Sequence, residues 1–193
     1  METFFPIAVG IGLAAACGFR VFIPLLILNL AVLSGHLVLP PAFTWMGSTY
    51  ATLAFTTAMI LEITGYYVPW FDHVLDTVAT PAAIIAGTVT TAAMVTDVSP
   101  FLKWTMALIA GGGTAGLVQA STVALRAKSS MLTGGTANPI LSTMELTGSV
   151  VTALLAIFVP ILCLILVALF CIWVIRKAGK LLSGSVKKTG GKA

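Results

Sequence analysis

The sequence predicts an all-α integral membrane protein, a polytopic bundle of five to six transmembrane helices. Of its 193 residues, 59% are hydrophobic and 8% are charged, whereas soluble domains carry about a quarter charged residues. The apolar residues also form long blocks without charge, namely Phe4–Phe19, Val21–Gly35 and Ser149–Ile175. A spanning helix needs roughly 20 apolar residues, and the alternation that marks barrel strands is absent. Lipid is therefore the predicted solvent.

The first apolar block, from about Phe4 to Leu33, contains Arg20 and Pro24. At about 1.5 Å per residue, an unbroken helix of this length would overshoot the hydrocarbon layer. We therefore predict that it tilts, kinks near Pro24 or breaks into two pieces. The chain starts without the positive charges of a cleavable signal peptide, so the block is predicted to be a retained membrane segment.

Later apolar segments are separated by polar or aromatic connections. An amphipathic stretch over Tyr66–Asp76 precedes a segment that Pro81 is predicted to open, and a polar loop is predicted to begin at Arg126. The final block, Pro139–Ile175, is too long for one ordinary crossing but short of turn residues for two. It is therefore predicted to make either one pass or two passes divided by a turn near Pro160. The remaining segments are predicted at about Ser48–Gly65 and Trp104–Leu125.

The formal charge of +4 has a local origin in the C-terminal tail. Residues 1–175 are predicted to form a single membrane domain, and 176–193 a basic cytoplasmic tail that contains Arg176, Lys177, Lys180, Lys187, Lys188 and Lys192. The positive-inside rule then predicts a multi-pass inner-membrane protein with a cytoplasmic C-terminus. Six passes with both termini inside fit this rule slightly better than five. A partner role for nucleic acid is not supported, because no aromatic residues interleave the basic ones.

A weak internal repeat is visible. Glu62-Ile63-Thr64-Gly65 is echoed by Glu145-Leu146-Thr147-Gly148, and a proline follows each, Pro81 and Pro160. Glycine-rich segments precede both. This pattern indicates two inverted three-helix repeats, over 4–97 and 100–175, with broken or re-entrant helices. Such repeats are typical of secondary transporters.

Three ionisable residues, Arg20, Glu62 and Glu145, fall within apolar segments. A charge facing lipid costs at least about 2.5 to 3.5 kcal/mol, so these side chains are expected to face one another or a cavity. One interpretation is a cation or proton site, with Thr64 and Thr147 as oxygen ligands. The alternative is a structural Arg–Glu pair, or glutamates that reach interfacial water.

Asp72, His73 and Asp76 form a second acidic candidate. The two aspartates are four residues apart and share a helix face, where a bound cation would relieve their repulsion. They are also included in the candidate ion-binding set, and with His73 they form a weak metal-site candidate. Solvated interfacial acids are the alternative.

Arg126, Lys128 and Asn138 flank a Gly-Gly loop that is able to hold an anion or a lipid headgroup. The alternative is an ordinary basic cytoplasmic loop. Upstream, the glycine-rich run that starts at Gly111 lacks the Lys-Ser/Thr ending of a phosphate loop. Gly112 and Gly116 are instead predicted to form a small-residue face for close helix packing.

No nucleophile–base constellation is evident, so an enzyme is not predicted, and no cofactor is implied. The cysteines, Cys17, Cys163 and Cys171, form no ligand-spaced pair and are interpreted as buried apolar residues.

Several motifs resemble those of a domain-of-unknown-function family of small bacterial multi-pass membrane proteins. They are Gly10-Ile11-Gly12-Leu13-Ala14, Glu62 with Pro69, Asp72 and Asp76, Arg126-Ala127-Lys128-Ser129-Ser130, Thr133-Gly134-Gly135 and Asn138-Pro139. The resemblance covers nearly the whole chain. The chain departs from the family pattern at Tyr66-Tyr67, where Asp-Lys is frequent, and at Glu145-Leu146, where an acidic pair is frequent. The resemblance implies a fold and no activity.

Two functions follow as hypotheses. The leading one is a small transporter or channel for a cation or a proton-coupled solute, with Glu62 and Glu145 at its centre. The alternative is a membrane scaffold or assembly partner that does not transport. The expected partners are the lipid bilayer, a cation or small solute and a second copy of the chain.

Overall fold

Every secondary-structure element in the described part of the chain is helical. The computed structural model describes residues 4–67, 71–96 and 98–189, and the side chains of 71–73 and 181–189 lie outside that description. The α-helices are α1 (Phe4–Phe19), α2 (Phe22–Leu33), α3 (Thr49–Tyr66), α4 (Phe71–Met94), α5 (Pro100–Met106), α6 (Gly113–Thr133), α7 (Asn138–Phe158) and α8 (Pro160–Thr189). A 3-10 segment, Pro41–Gly47, precedes α3, and a π-helical segment, Ala107–Gly112, joins α5 to α6. The predicted all-α class is confirmed.

Four helical stretches among the described residues are long and apolar enough to cross a membrane: Val74–Met94, Pro100–Thr133, Asn138–Phe158 and Pro160–Lys180. Only 11% of the apolar window in the last of these is buried inside the protein, so most of its surface needs lipid as a solvent. The four stretches are therefore consistent with a multi-pass membrane protein. A count of five or six spans requires the shorter α1 and α2, or the less apolar α3, to contribute as well.

The first apolar block breaks into two helices at Arg20 and Val21, between α1 and α2. Proline has no N–H, and its ring clashes with the carbonyl four residues earlier. For Pro24 that carbonyl belongs to Arg20, which favours a kink or a break at this point. Of the predicted alternatives, a tilt, a kink or a break, the structure shows the break, one helical turn before the proline.

Helix α2 runs back along the direction from which α1 came. The start of α2 contacts Glu62, near the end of α3. Beyond its other end, the ring of His36 lies 6.2 Å from the ring of Phe158. Gly12 of α1 is also close to that end of α7, because a Cβ on Gly12 would lie 2.6 Å from Ala156. Helices α1 and α2 thus form a hairpin whose tip is at Arg20.

Helices α7 and α8 form a second hairpin. The Sγ of Cys163 lies 3.6 Å from the backbone oxygen of Thr152, although eleven residues of continuous helix would separate them by about 16 Å. The chain therefore reverses at Val159 and Pro160. Of the two predicted alternatives for the last apolar block, the structure shows the turn near Pro160.

The chain ends lie at opposite ends of the bundle. Helix α1 runs antiparallel to α7, since Gly12 faces Ala156 and Ser149 donates to the backbone oxygen of Ala16. Because α8 reverses from α7, α8 runs parallel to α1. The start of α1 and the end of α8 therefore point in opposite directions, which fits an odd number of spans better than the six-pass alternative with both termini inside.

The prediction that Pro81 opens a new segment was also wrong. Helix α4 begins at Phe71 and passes through Pro81, and the hydroxyl of Thr80 donates to the backbone oxygen of Asp76 at 2.8 Å. Polar side chains of this kind help to satisfy backbone groups beside a membrane proline. Since only Pro160 of the two prolines starts a helix, the predicted repeat loses one of its markers.

The polar loop begins later than predicted. Arg126 lies within α6, which continues to Thr133, and the turn is made by Gly134 and Gly135 with φ of 61° and 88°. Glycine adopts these left-handed conformations at low cost because it has no Cβ.

The glycine-rich run packs closely against α4, as predicted for Gly112 and Gly116. A Cβ on Gly112 would lie 2.6 Å from the hydroxyl of Thr88, and one on Gly116 would lie 3.3 Å from Ile84. Gly111 is tighter still, because its Cβ would lie 2.2 Å from the hydroxyl oxygen of Thr91. Small residues let the helix backbones approach.

This packing makes a prediction about two neighbouring glycines. Gly111→Ala is expected to destabilise the protein by about 1 to 3 kcal/mol, because the new methyl group overlaps α4. Gly113→Ala is the matched control, since a Cβ there meets nothing within 4 Å. Thermal unfolding in detergent measures both, and equal melting temperatures for the two variants would contradict the packing described.

Candidate functional site

Charged and aromatic side chains from five helices or their ends converge beside the tip of the α1–α2 hairpin. These side chains form the polar cluster, which consists of Arg20, Glu62, Tyr66, Asp76, Arg126 and Glu145. All except Asp76 are at most 7% exposed, and the side chain of Asp76 is 12% exposed. The cluster is therefore almost wholly enclosed by protein.

Arg126 is the hub of its ion pairs. Its Nε donates to Oε1 of Glu145 at 2.9 Å, and its Nη2 donates to Oε2 of the same carboxylate. Its Nη1 donates to Oδ1 of Asp76 at 3.1 Å. This is the two-pronged geometry that makes arginine–carboxylate pairs strong, and it ties α6 to both α7 and α4.

Arg20 is less completely paired. Its Nη2 donates to the hydroxyl and, at 3.2 Å, to the backbone oxygen of Ser142, and it lies 3.6 Å from Oε2 of Glu145. Its Nε and Nη1 are buried and have no hydrogen-bond partner among the residues that the structure describes. Arg20 is 2% exposed, so these donors are also shielded from bulk water.

The ring of Tyr66 lies between the two arginines. The guanidinium carbons of Arg20 and Arg126 are 3.8 and 3.9 Å from its centroid. The attraction between a cation and an aromatic face strengthens when both are desolvated. The hydroxyl of Tyr66 also donates to Oδ1 of Asp76 at 3.1 Å. One aromatic side chain thus separates two like charges.

Glu62 caps the start of α2. Its carboxylate accepts the backbone N–H of Val21 at 2.8 Å and that of Phe22 at 3.1 Å. These donors are unsatisfied within the helix, and the helix dipole favours a negative charge there. Glu62 also interacts electrostatically with Arg20 and Arg126, which joins the helix break to the ion-pair network.

The cluster lies inside the bundle, below the end that carries the α6–α7 turn. Arg126 is seven residues before the end of α6, and Glu145 is seven residues after the start of α7. Both are thus about 10 Å from the turn. Exposed Lys128 lies between the cluster and that end.

The structure brings together four of the residues that the sequence marks as candidate ion ligands: Glu62, Glu145, Arg20 and Asp76. It does not bring the two threonines to them. Thr64 and Thr147 are exposed, and the hydroxyl of Thr147 donates to the backbone oxygen of Thr143 within its own helix.

The predicted metal site of Asp72, His73 and Asp76 lies largely outside the described side chains. The side chains of Asp72 and His73 lie outside the described residues. Among the side chains that are described, no three of His, Cys, Asp or Glu are grouped to hold a metal ion.

The three residues that were predicted to hold an anion or a lipid headgroup have different surroundings. Arg126 is buried in the polar cluster, and Lys128 is exposed on α6. Asn138 is buried at the start of α7, where its amide nitrogen donates to the hydroxyl of Ser130 at 3.0 Å.

Sequence reasoning missed Arg126 as the partner of Glu145 and missed Tyr66 altogether. One signal was available for the ion pair. Arg126 and Glu145 are nearly equidistant from the Gly134-Gly135 turn, and residues equidistant from the turn of a helical hairpin face each other. The role of Tyr66 had no comparable signal, since it depends on the packing of three other helices.

A family model described as a domain of unknown function, DUF4126, matches residues 7–180. The chain belongs to the DUF4126 family. The matched range of this DUF4126 member contains every residue of the polar cluster. No curated protein and no solved structure matches the chain.

The hub role of Arg126 is testable by a double-mutant cycle. Arg126→Gln is expected to cost about 3 to 5 kcal/mol, because it leaves two buried carboxylates without their cation. Glu145→Gln in the same chain should recover part of that loss, a coupling of about 0.5 to 3 kcal/mol. Unfolding in mixed detergent micelles measures each variant.

The control is Lys128→Gln, which removes an exposed charge two residues away and should change the free energy of unfolding by less than about 0.5 kcal/mol. Additive effects of the Arg126 and Glu145 substitutions would show that the two side chains are not coupled.

Proposed function

We propose that this protein is a small inner-membrane transporter of a proton-coupled solute, and that the polar cluster is its proton-binding site. The observation that carries the proposal is an imbalance of buried charge. Among the side chains that the structure describes, and with every group ionised, two arginines contribute +2 and three carboxylates contribute −3, which leaves −1 in a nearly enclosed site. A net charge is costly in a low-dielectric interior, and one proton neutralises it.

A proton fits the cluster better than a metal cation. Hard cations need several free oxygen ligands. Here the carboxylates of Glu62 and Glu145 already accept backbone or guanidinium N–H groups, and Asp76 accepts from Tyr66 and Arg126. A proton needs only one oxygen, and it can be shared within a coupled network of acids.

The backbone around the cluster also supports transport. Non-helical backbone at membrane depth occurs where it is buried in protein or lines a cavity, and transporters place their sites at such helix breaks. The α1–α2 break combines this feature with the unpartnered Nε and Nη1 of Arg20. These donors are the groups that would contact an acceptor atom of the solute.

A non-transporting scaffold is the competing proposal. It is favoured by the pairing of the three carboxylates, since each accepts at least two hydrogen bonds or ion contacts. In that case the cluster would serve only to join the helices, and its neutral variants would alter stability alone.

The basic end of the bundle supports the proposed orientation. Exposed Lys128, Arg176, Lys177 and Lys180 lie toward the end where α6 and α8 finish. Under the positive-inside rule this end is cytoplasmic, which places the C-terminus inside. Because α1 begins at the end of the bundle opposite to the end of α8, we propose that the N-terminus lies outside.

The transport proposal predicts proton movement that depends on both the protein and a solute. Purified protein is reconstituted in vesicles that contain a pH-sensitive dye, and a small-molecule extract of bacterial cells is added outside. Wild-type vesicles should change their internal pH only when the extract is present. Asp76→Asn should lower that rate at least 10-fold, because the amide keeps an oxygen acceptor but cannot take the proton in the same way.

Glu62→Gln and Glu145→Gln are expected to lose the pH change as well, and Lys128→Gln, which alters an exposed charge, should keep it. Melting temperatures of the reconstituted variants separate loss of function from loss of folding. Wild-type vesicles that behave like protein-free ones, or three folded variants with wild-type rates, would refute the transport proposal and favour the scaffold.

A further inference from the structure

A cavity of about 250 Å³ lies between α1, α6, α7 and α8, apart from the polar cluster's ion pairs. Its walls are mainly apolar and include Phe19, Val118, Cys163, Leu166 and Phe170. Leu166 is 49% exposed, so this wall opens toward the hydrocarbon of the membrane. The cavity therefore suits an apolar chain and offers little to a polar solute.

The face of α8 that lines the cavity leads, further along the helix, to the basic residue Lys177. Cys163, Val167 and Phe170 lie on one stripe of the helix, and Lys177 follows Phe170 by seven residues, two turns further along the same stripe. Lys177 is exposed, and its Nζ lies 4.6 Å from the centroid of Trp173. Two turns correspond to about 10 Å along the helix.

Along α8, Trp173 lies between Phe170 and Lys177, to one side of this stripe. Tryptophan is enriched at the level of the lipid headgroups, because its ring is amphipathic. Arg176 and Lys180, both exposed, flank Lys177 on α8. The cavity, the tryptophan and the positive charge thus follow the order of acyl chain, interface and phosphate in a phospholipid.

We propose that the cavity and Lys177 form a binding site for one anionic phospholipid. An acyl chain would occupy the space beside Leu166, and the phosphate would lie against Lys177. Charge complementarity selects the occupant, since basic pockets beside membrane helices bind anionic headgroups. Lipid is also the apolar molecule present at the opening of the cavity. The site is independent of the proposed transport activity.

Native mass spectrometry of the purified protein with phosphatidylglycerol and phosphatidylcholine of identical acyl chains tests the site. The wild-type protein should retain one phosphatidylglycerol with at least 10-fold higher affinity than phosphatidylcholine. Leu166→Trp fills the cavity and should weaken binding of both lipids at least 5-fold. Leu169→Trp is its matched control, because Leu169 is 59% exposed on the same helix and does not line the cavity.

The headgroup is tested by a second matched pair. Lys177→Gln should abolish the preference for phosphatidylglycerol, whereas Arg176→Gln removes the same charge from an adjacent position on another face and should retain most of it. Glycerol 3-phosphate, which has a phosphate but no acyl chain, should not compete with the bound lipid.

Equal effects of Leu166→Trp and Leu169→Trp would overturn the cavity as the site. Equal effects of Lys177→Gln and Arg176→Gln would show that basic charge acts without a defined position, and full competition by glycerol 3-phosphate would show that the acyl chain contributes nothing. Melting temperatures of all four variants confirm that each is folded. None of these results bears on the pH change in vesicles that tests the transport proposal.

Discussion

The pairing of Arg126 with Glu145 and Asp76 is the interaction on which the centre of the bundle depends. An unpaired charge at this depth would destabilise the fold by several kcal/mol, so the ion pairs fix the relative position of α4, α6 and α7. Tyr66 and Glu62 extend the same constraint to α3 and to the tip of the α1–α2 hairpin. Small-residue packing and interhelical hydrogen bonds, such as that from Ser149 to the backbone oxygen of Ala16, also join the helices.

The break at Arg20 and the ion-pair network are linked through Glu62. Pro24 disfavours a continuous helix, and the break leaves the first N–H groups of α2 without partners inside the helix. Glu62 satisfies two of them, and its negative charge is balanced by the arginines beside it. Under the transport proposal, this one break in the backbone would supply both a proton site and, through the unpartnered donors of Arg20, a contact for the solute.

The two proposed sites use different physical properties of the same bundle. The polar cluster depends on buried charge and on hydrogen-bond donors, whereas the cavity between α1 and α8 depends on apolar surface and a basic helix end. They are adjacent in the chain, because Phe19 lines the cavity and Arg20 belongs to the cluster. A bound lipid would therefore pack against the hairpin that carries the proton site.

The sequence by itself predicted lipid as the solvent and the helical class, and it marked Pro24 and Pro160 as points where a helix is disturbed, because hydrophobic composition and proline sterics act locally. It also marked Arg20, Glu62 and Glu145 as residues that need partners, since a charge in an apolar segment is costly wherever the chain folds. It misplaced the helix boundaries at Pro81 and Arg126, where neighbouring side chains and tertiary pairing sustain a helix. Only the tertiary structure decided that Arg126 pairs with Glu145, that Tyr66 separates two guanidinium groups and that Thr64 and Thr147 lie elsewhere. Those outcomes depend on the direction and rotation of helices distant in sequence, which no local pattern fixes.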